Sequence, residues 1–510
     1  MMKIDELNKD YLLLSELSQK SKLSDEEIFR RIGELDTKYK DSDSHFLSFE
    51  GLISNIGSDQ KSIPILNHAL KRLRDKKESL DQNKFYYDFG NTLFSKASLE
   101  LSAVDDFESL VDLKTYRESG KYFLKVKKDR YGHFERARTN LAIIYERYGR
   151  NYEAINAFDQ VITVSPDFGM AYGGKAVSLE YYTRLAPQQS LHLINISYNL
   201  LLKALADNSL LEIGGRSSFE YYEHKKEQIE SIFESIEYSP VEINPPKSIS
   251  KYQKFILSNN LFLNYDFGYY YDKDSLCDNF FPNLIEKINE ERFEKTQIMS
   301  KKTYFCFQTF NQLLEDFTTA RYNFFQSLNL KHKKIDSRVK YICTLDYTQH
   351  SLKYGILKSV FAALYNCLDK IANITKFYFS DEEIDQNKIE IYFDWFTKDD
   401  FKNLVKEKRN FQLLALYSLA IDMKSGGPYY HLNRIRNRIT HSFLNINIDI
   451  GFDEKYSNFE VTEDYLISGI HDLFVIVKAA IMYFLIGIRN TSDPEKTMPM
   501  YATMEYDIYK

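Results

Sequence analysis

Pro428-Tyr429-Tyr430-His431-Leu432-Asn433-Arg434-Ile435-Arg436-Asn437-Arg438-Ile439-Thr440-His441 reads as one helix. It carries three arginines, Asn437 and His441 close together. The stretches on either side share its helical periodicity, so its reading decides the fold of the C-terminal half. It also carries chemistry. Arginine holds a phosphate through a forked pair of hydrogen bonds. Histidine gains and loses a proton near neutral pH. Together they suffice to cut RNA without a metal.

Composition sets the frame outward from this helix. At 510 residues the chain has room for two to four domains. Its 44% hydrophobic and 27% charged fractions are those of a soluble protein. The net charge of −6 provides no global basic field, so any RNA contact must come from a local patch. The acidic, polar start Met1-Met2-Lys3-Ile4-Asp5-Glu6 is not expected to be a signal peptide. The apolar run from Ala479 to Ile488 is too short to span a bilayer and is expected to be a buried helix, so no membrane partner is expected. Cys277, Cys306, Cys343 and Cys367 lie far apart without a CxxC pair. That argues against zinc and disulfides and fits a reducing cytoplasm. Scarce Gly and Pro with long amphipathic stretches predict an all-α protein.

Repeats organise the N-terminal half. Leu141-Ala142-Ile143-Ile144-Tyr145 is followed by Gly149, Tyr152, Ala154, Phe158 and Pro166. This order resembles the tetratricopeptide pattern. Ala142 and Ala154 let two helices approach, Gly149 sits in the turn, and Pro166 starts the step to the next unit. A second unit opens at Ala171-Tyr172-Gly173-Gly174-Lys175-Ala176, and an earlier one includes Tyr86 to Phe94, followed by a longer helix around Val111 to Lys127. Residues 1–237 are therefore expected to form a tetratricopeptide solenoid, whose concave face would receive a protein or peptide partner. The repeat aromatics themselves read as inter-helix core.

Tyr238-Ser239-Pro240 through Pro245-Pro246-Lys247-Ser248 breaks helical periodicity, giving a linker at 238–249. Residues 250–490 then read as a helical bundle, with helices near 287–298, 302–329, 350–378, 397–422, 428–444 and 462–489. Ser380 to Asn387 reads as a loop, Lys388 to Trp395 as a short strand or a helix start, and Asn445 to Ile450 as an edge segment. The basic run Lys331-His332-Lys333-Lys334 reads as a solvated loop. The tail, 491–510, is expected to be irregular.

Within the quoted helix, Asn437, Arg438 and Arg434 precede His441 by four, three and seven residues and share its face. Arg436 precedes it by five, about 140° round the axis. A long arginine must swing back to meet the histidine, the helix must loosen, or a second copy of the helix must complete the pocket. His441 is the only one of ten histidines with an arginine five to seven positions before it.

The Arg436-Asn437 to His441 motif in a helical bundle resembles the HEPN superfamily (higher eukaryotes and prokaryotes nucleotide-binding domain). Asn260-Leu261-Phe262-Leu263-Asn264, Ala320-Arg321, Leu364-Tyr365-Asn366-Cys367-Leu368-Asp369-Lys370-Ile371-Ala372, Trp395 and Leu432-Asn433-Arg434-Ile435 carry the same resemblance. It looks closest to the prokaryotic branch that joins a tetratricopeptide region to such a domain. The resemblance implies a metal-independent endoribonuclease, acting as a homodimer with two motifs facing each other, as in toxins and effectors of antiviral defence and abortive infection. No metal or other cofactor is implied. The RNA's 2′-hydroxyl would attack phosphorus, with His441 as general base or acid. Arg436 would stabilise the growing phosphorane charge. Asn437 would orient the histidine or the phosphate, or else serve as a cap or core polar group. Arg434 and Arg438 would supply charge for the RNA backbone or else stay solvated, and Asp369 would be an acidic partner for one arginine or a structural ion-pair partner. Some HEPN proteins accept adenylyl groups on a tyrosine two residues after the histidine; here that residue is Phe443, which has no hydroxyl. The competing reading is a non-catalytic scaffold that binds a protein and grips RNA without cutting it. A metal hydrolase is disfavoured by the lack of ligand-spaced His, Asp and Glu.

Overall fold

The computed structural model describes residues 2–21, 23–39, 45–102, 107–184, 187–241, 249–263, 278, 285–287, 301–330, 341–342, 348–379, 391–447, 460–491 and 497–499. The protein is all-α in these residues apart from short strands. The chain divides into two compact units. One comprises Met1–Arg147, Ala154–Lys175 and Leu200–Lys226; the other comprises Tyr148–Glu153, Ala176–Asn199 and Glu227–Lys510.

The first unit contains α1 (Met2–Ser21), α2 (Asp25–Lys38), α3 (His45–Asp59), α4 (Ile63–Asp75), α5 (Gln82–Ser102), α6 (Phe107–Asp112), α7 (Lys114–Lys125) and α8 (His133–Arg147). The single long helix expected near Val111 to Lys127 is two, separated at Leu113. Helices start where their sequences supply caps. The Ser24 hydroxyl accepts the Glu27 N–H at 3.3 Å, and the Ser62 hydroxyl accepts the Ile65 N–H at 3.3 Å. In α4, Ile65, Ala69, Leu70 and Leu73 recur at helical spacing and are buried. Helices pack mainly on near neighbours in sequence, α3 on α4, α4 on α5, α5 on α7 and α7 on α8. That is how stacked helical pairs bury faces that none could bury alone. Ala142 and Ala154 are fully buried, as the close approach of helices requires.

From there α9 (Asn151–Val164), α10 (Gly169–Glu180), α11 (Pro187–Ala206) and α12 (Gly215–Ser235) carry the chain onward. Gly149, in the turn before α9, has φ +72°, and a Cβ there would lie 2.4 Å from the Phe411 carbonyl oxygen. Only glycine combines that conformation with that approach.

The C-terminal part of the second unit contains α13 (Lys251–Ser258), α14 (Lys301–Leu328), α15 (Leu352–Phe379), α16 (Asp399–Lys408), α17 (Phe411–Asp422), α18 (Tyr430–His441) and α19 (Glu463–Thr491). The two 28-residue helices α14 and α15 pack along each other, α15 packs on α19, and α17 and α18 lie against α19. Instead of one helix at 397–422 there are two. Arg409 adopts a left-handed conformation, and Asn410 then caps α17 by accepting the Gln412 and Leu413 N–H groups. Around Trp395 the chain forms a short 3-10 turn, Phe393–Thr397, rather than a strand. The run Ala479 to Ile488 lies in α19, which is long and apolar enough to cross a membrane by length and composition; its apolar face is buried in the bundle. Strands β2 (Tyr341–Ile342), β3 (Thr348–His350), β4 (Asn445–Asn447) and β5 (Glu460–Thr462) form a sheet in that order, with β4 and β5 parallel. Strand β1 (Ile285–Lys287) pairs antiparallel with β6 (Thr497–Pro499), so this piece of the tail is ordered by a ladder. The helix expected near 287–298 falls beyond Lys287 outside the described residues. So do the basic run at 331–334, the loop at 380–387, Ile448 to Ile450 and most of the linker.

Candidate active site

The quoted stretch folds as α18, Tyr430–His441, shorter at both ends than 428–444. Leu432 and Ile435 are its buried residues. They point the helix's apolar edge at α15 and α19, where their methyls pack near Gly469 and Phe361. The opposite face, including Arg434, Asn437 and His441, is exposed. His441 is the last helical residue, and Ser442 leaves the helix with φ −150° and ψ −130°.

Arg436, Asn437 and His441 come together on this end. Arg436 Nη1 lies 3.3 Å from His441 Nε2 and 3.2 Å from Asn437 Oδ1. The arginine does swing back across the separation that helix geometry imposes. A guanidinium can only donate, so Nε2 is the accepting atom of this contact. The contact orients the imidazole towards the guanidinium.

Beneath Arg436 lies α15. The guanidinium carbon sits 5.4 Å from the Tyr365 ring centroid, a cation–π stack. Tyr365 is 8% exposed. Burial pushes its hydroxyl up to about 12, with the Asp369 charge adding and Arg436 opposing. Asp369, one turn on, accepts the Phe393 N–H at 2.8 Å. Burial raises its pKa, while that N–H and the Arg436 charge lower it. Asp369 thus acts on Arg436 through space rather than in a direct ion pair. Arg434 is exposed and Arg438 half-buried, both within two residues of Arg436. His431 is held structurally, with Nδ1 3.3 Å from the Pro428 carbonyl oxygen and Nε2 3.3 Å from Asp472 Oδ2. Among the described residues, no group of three or more His, Cys, Asp or Glu is arranged to hold a metal ion.

Sequence reasoning gave Tyr365 no role. The signal was present in the four-residue spacing of Tyr365 and Asp369 on one helix face. The first unit holds two hollows of about 350 Å³ each, which share Tyr87, Asn91 and Arg136. Asn140 donates its amide to Asn91 there at 3.1 Å.

The fold and site define a helical bundle that presents an Arg/His pair at the end of an exposed helix. Residues 298–491 match the family described as LA2681-like HEPN, and the match includes α18 and the α15 face beneath it. No curated protein and no solved structure matches the chain. A HEPN domain therefore occupies the C-terminal region; the match does not extend to the helical N-terminal region.

Proposed function

We propose that this chain is a metal-independent endoribonuclease that cuts RNA at the Arg436/His441 pair. The observation that carries the reading is the 3.3 Å contact between Arg436 Nη1 and His441 Nε2 on an exposed helix end. A phosphodiester entering there competes for the guanidinium through a forked, charge-assisted pair of bonds. Arg436 then leaves Nε2, which becomes a free base 3 Å or so from the incoming 2′-hydroxyl, within the reach that general-base catalysis requires. The hydroxyl oxygen attacks phosphorus, its proton passes to His441, and the P–O5′ bond breaks with the departing 5′-oxygen taking a proton from water. Arg436 holds the charge on the non-bridging oxygens. The products are a 2′,3′-cyclic phosphate and a 5′-hydroxyl end. DNA lacks the nucleophile and resists. Asn437 steers the arginine by accepting from Nη1, and Arg434 and Arg438 supply local backbone charge.

In its finer form the proposal has two copies meeting at the ends of their α18 helices. Phe443, 56% exposed two residues after His441, suits burial against the second copy. The HEPN family match supports a role as a toxin or antiviral effector. The N-terminal helices are tetratricopeptide-like repeats in this reading, and the paired hollows suit a protein or peptide trigger. The deciding experiment incubates wild type and His441→Ala with RNA and with the matching DNA in EDTA. Wild type should cut RNA only, leaving cyclic phosphate ends, and the variant should be slower by about 10²–10⁴-fold. Equal cleavage by both proteins would defeat the proposal.

A further inference from the structure

We propose that Arg150 is a positioning residue for the Arg436/His441 pair, acting through Asp422 and the loop that starts α18. The inference rests on the nuclease reading for its consequence and on the buried geometry for its substance.

Arg150 is 2% exposed. Its Nη1 donates to Asp422 Oδ2 at 2.5 Å and to Ser418 Oγ at 3.2 Å. Its Nε donates to Glu153 Oε2 at 3.0 Å, and Nη2 donates to Glu153 Oε1. Glu153 also accepts from the Tyr483 hydroxyl at 2.7 Å. One guanidinium therefore ties the first turn of α9 to the last residue of α17. Lys478 of α19, fully buried, grips the same turn from another side: its Nζ is 5.2 Å from the Tyr152 ring centroid and donates to the Asn260 carbonyl at 3.1 Å.

Such a cluster is a poor way to gain stability. Well-packed apolar residues in place of a buried ion pair are often neutral or stabilising. What a guanidinium shared between two carboxylates does supply is one geometry, because five donors in a rigid fork tolerate little rotation. That geometry is passed on. The Asp422 carbonyl accepts the Tyr429 N–H at 3.0 Å, and Tyr429 immediately precedes α18. The loop folds so tightly over this carbonyl that a Cβ on Gly427 would lie 2.1 Å from its oxygen. Helix α18 is only 12 residues long and buries few side chains of its own. Strand β4 follows its C-terminal end, and the Asp422 carbonyl holds the residue before its start. A shift of Asp422 therefore tilts α18 and carries Arg436 and His441 together relative to Tyr365 on α15.

The test uses full-length protein and the combination Arg150→Met, Glu153→Gln and Asp422→Asn, which removes the guanidinium together with both carboxylates it pairs with and leaves Lys478 on the Asn260 carbonyl. Single Arg150→Met strands two buried carboxylates and serves only as a folding control. The triple variant should melt near wild type, yet lose about 10–100-fold in kcat with KM little changed, the scale of a displacement near 1 Å. The same samples, labelled at histidine nitrogen, report the His441 ring signals and the hydrogen exchange of 424–441. Shifted His441 signals with faster exchange support the proposal. A folded triple variant with wild-type kcat and unchanged signals overturns it. Should wild type fail to cut RNA, the nuclease reading falls by itself, and the ring signals and exchange still decide whether Arg150 positions α18.

Discussion

Replacing Arg436 by alanine separates catalysis from stability. The side chain makes a cation–π stack on Tyr365 and exposed hydrogen bonds to Asn437 and His441. At such a site the stack contributes about 0.5–1 kcal/mol. Exposed hydrogen bonds contribute less than the roughly 1 kcal/mol of buried ones. The total loss of stability is therefore on the order of 1 kcal/mol, or about 2–4 °C in the melting temperature of a domain of 150–250 residues. In the transition state the same guanidinium faces a phosphorus group gaining charge. Loss of one such preorganised donor costs about 2.7–4 kcal/mol, a 10²–10³-fold fall in kcat. The assay is a single-turnover time course on end-labelled RNA in EDTA, run beside differential scanning calorimetry of the same preparation. The expected result is a nearly unchanged melting curve with a hundredfold or greater loss of rate. Cleavage by Arg436→Ala at the wild-type rate would refute the assignment of the arginine. A fall in rate matched by a collapse of the melting transition would refute the claim that its role is chemical.

Tyr365→Leu should keep the fold and lower kcat roughly 2–5-fold, because the lost stack of about 0.5–1 kcal/mol loosens Arg436; an unchanged rate would show that the ring does not hold it. Burial raises the Asp369 pKa, so its contribution to stability is present below the unfolded carboxyl pKa near 4 and is lost as pH rises through the folded value. Asp369→Asn should therefore gain on wild type as pH rises from about 4 to 7 in paired thermal melts. The opposite trend would contradict the burial of this carboxyl. Gly427→Ala should cost about 1–3 kcal/mol in denaturant unfolding, since its methyl collides with the Asp422 carbonyl.

The helical character of the chain and the Arg436/His441 pair were legible in the sequence. Helical periodicity is a local property, and residues five apart on one helix end cannot be far apart in any fold. The break between α16 and α17 was not legible. Apolar residues on both sides of Arg409 and Asn410, Phe401, Leu404 and Val405 before and Leu413, Leu414 and Leu416 after, continue the helical pattern, and only the left-handed Arg409 with the Asn410 cap reveals the stop. The small sheet escaped for a similar reason. Strands of two or three residues carry too little alternation to register, and their partners lie far along the chain.

What the sequence determined alone was composition, periodicity and the short-range juxtaposition of ionisable groups on α18. What the tertiary structure decided was the direction in which that helix points. Tyr365 beneath Arg436, the Phe393 N–H on Asp369 and the buried Arg150–Asp422 pair all join residues distant in sequence. No periodicity encodes such pairs, because burial brings them together only after the helices have packed.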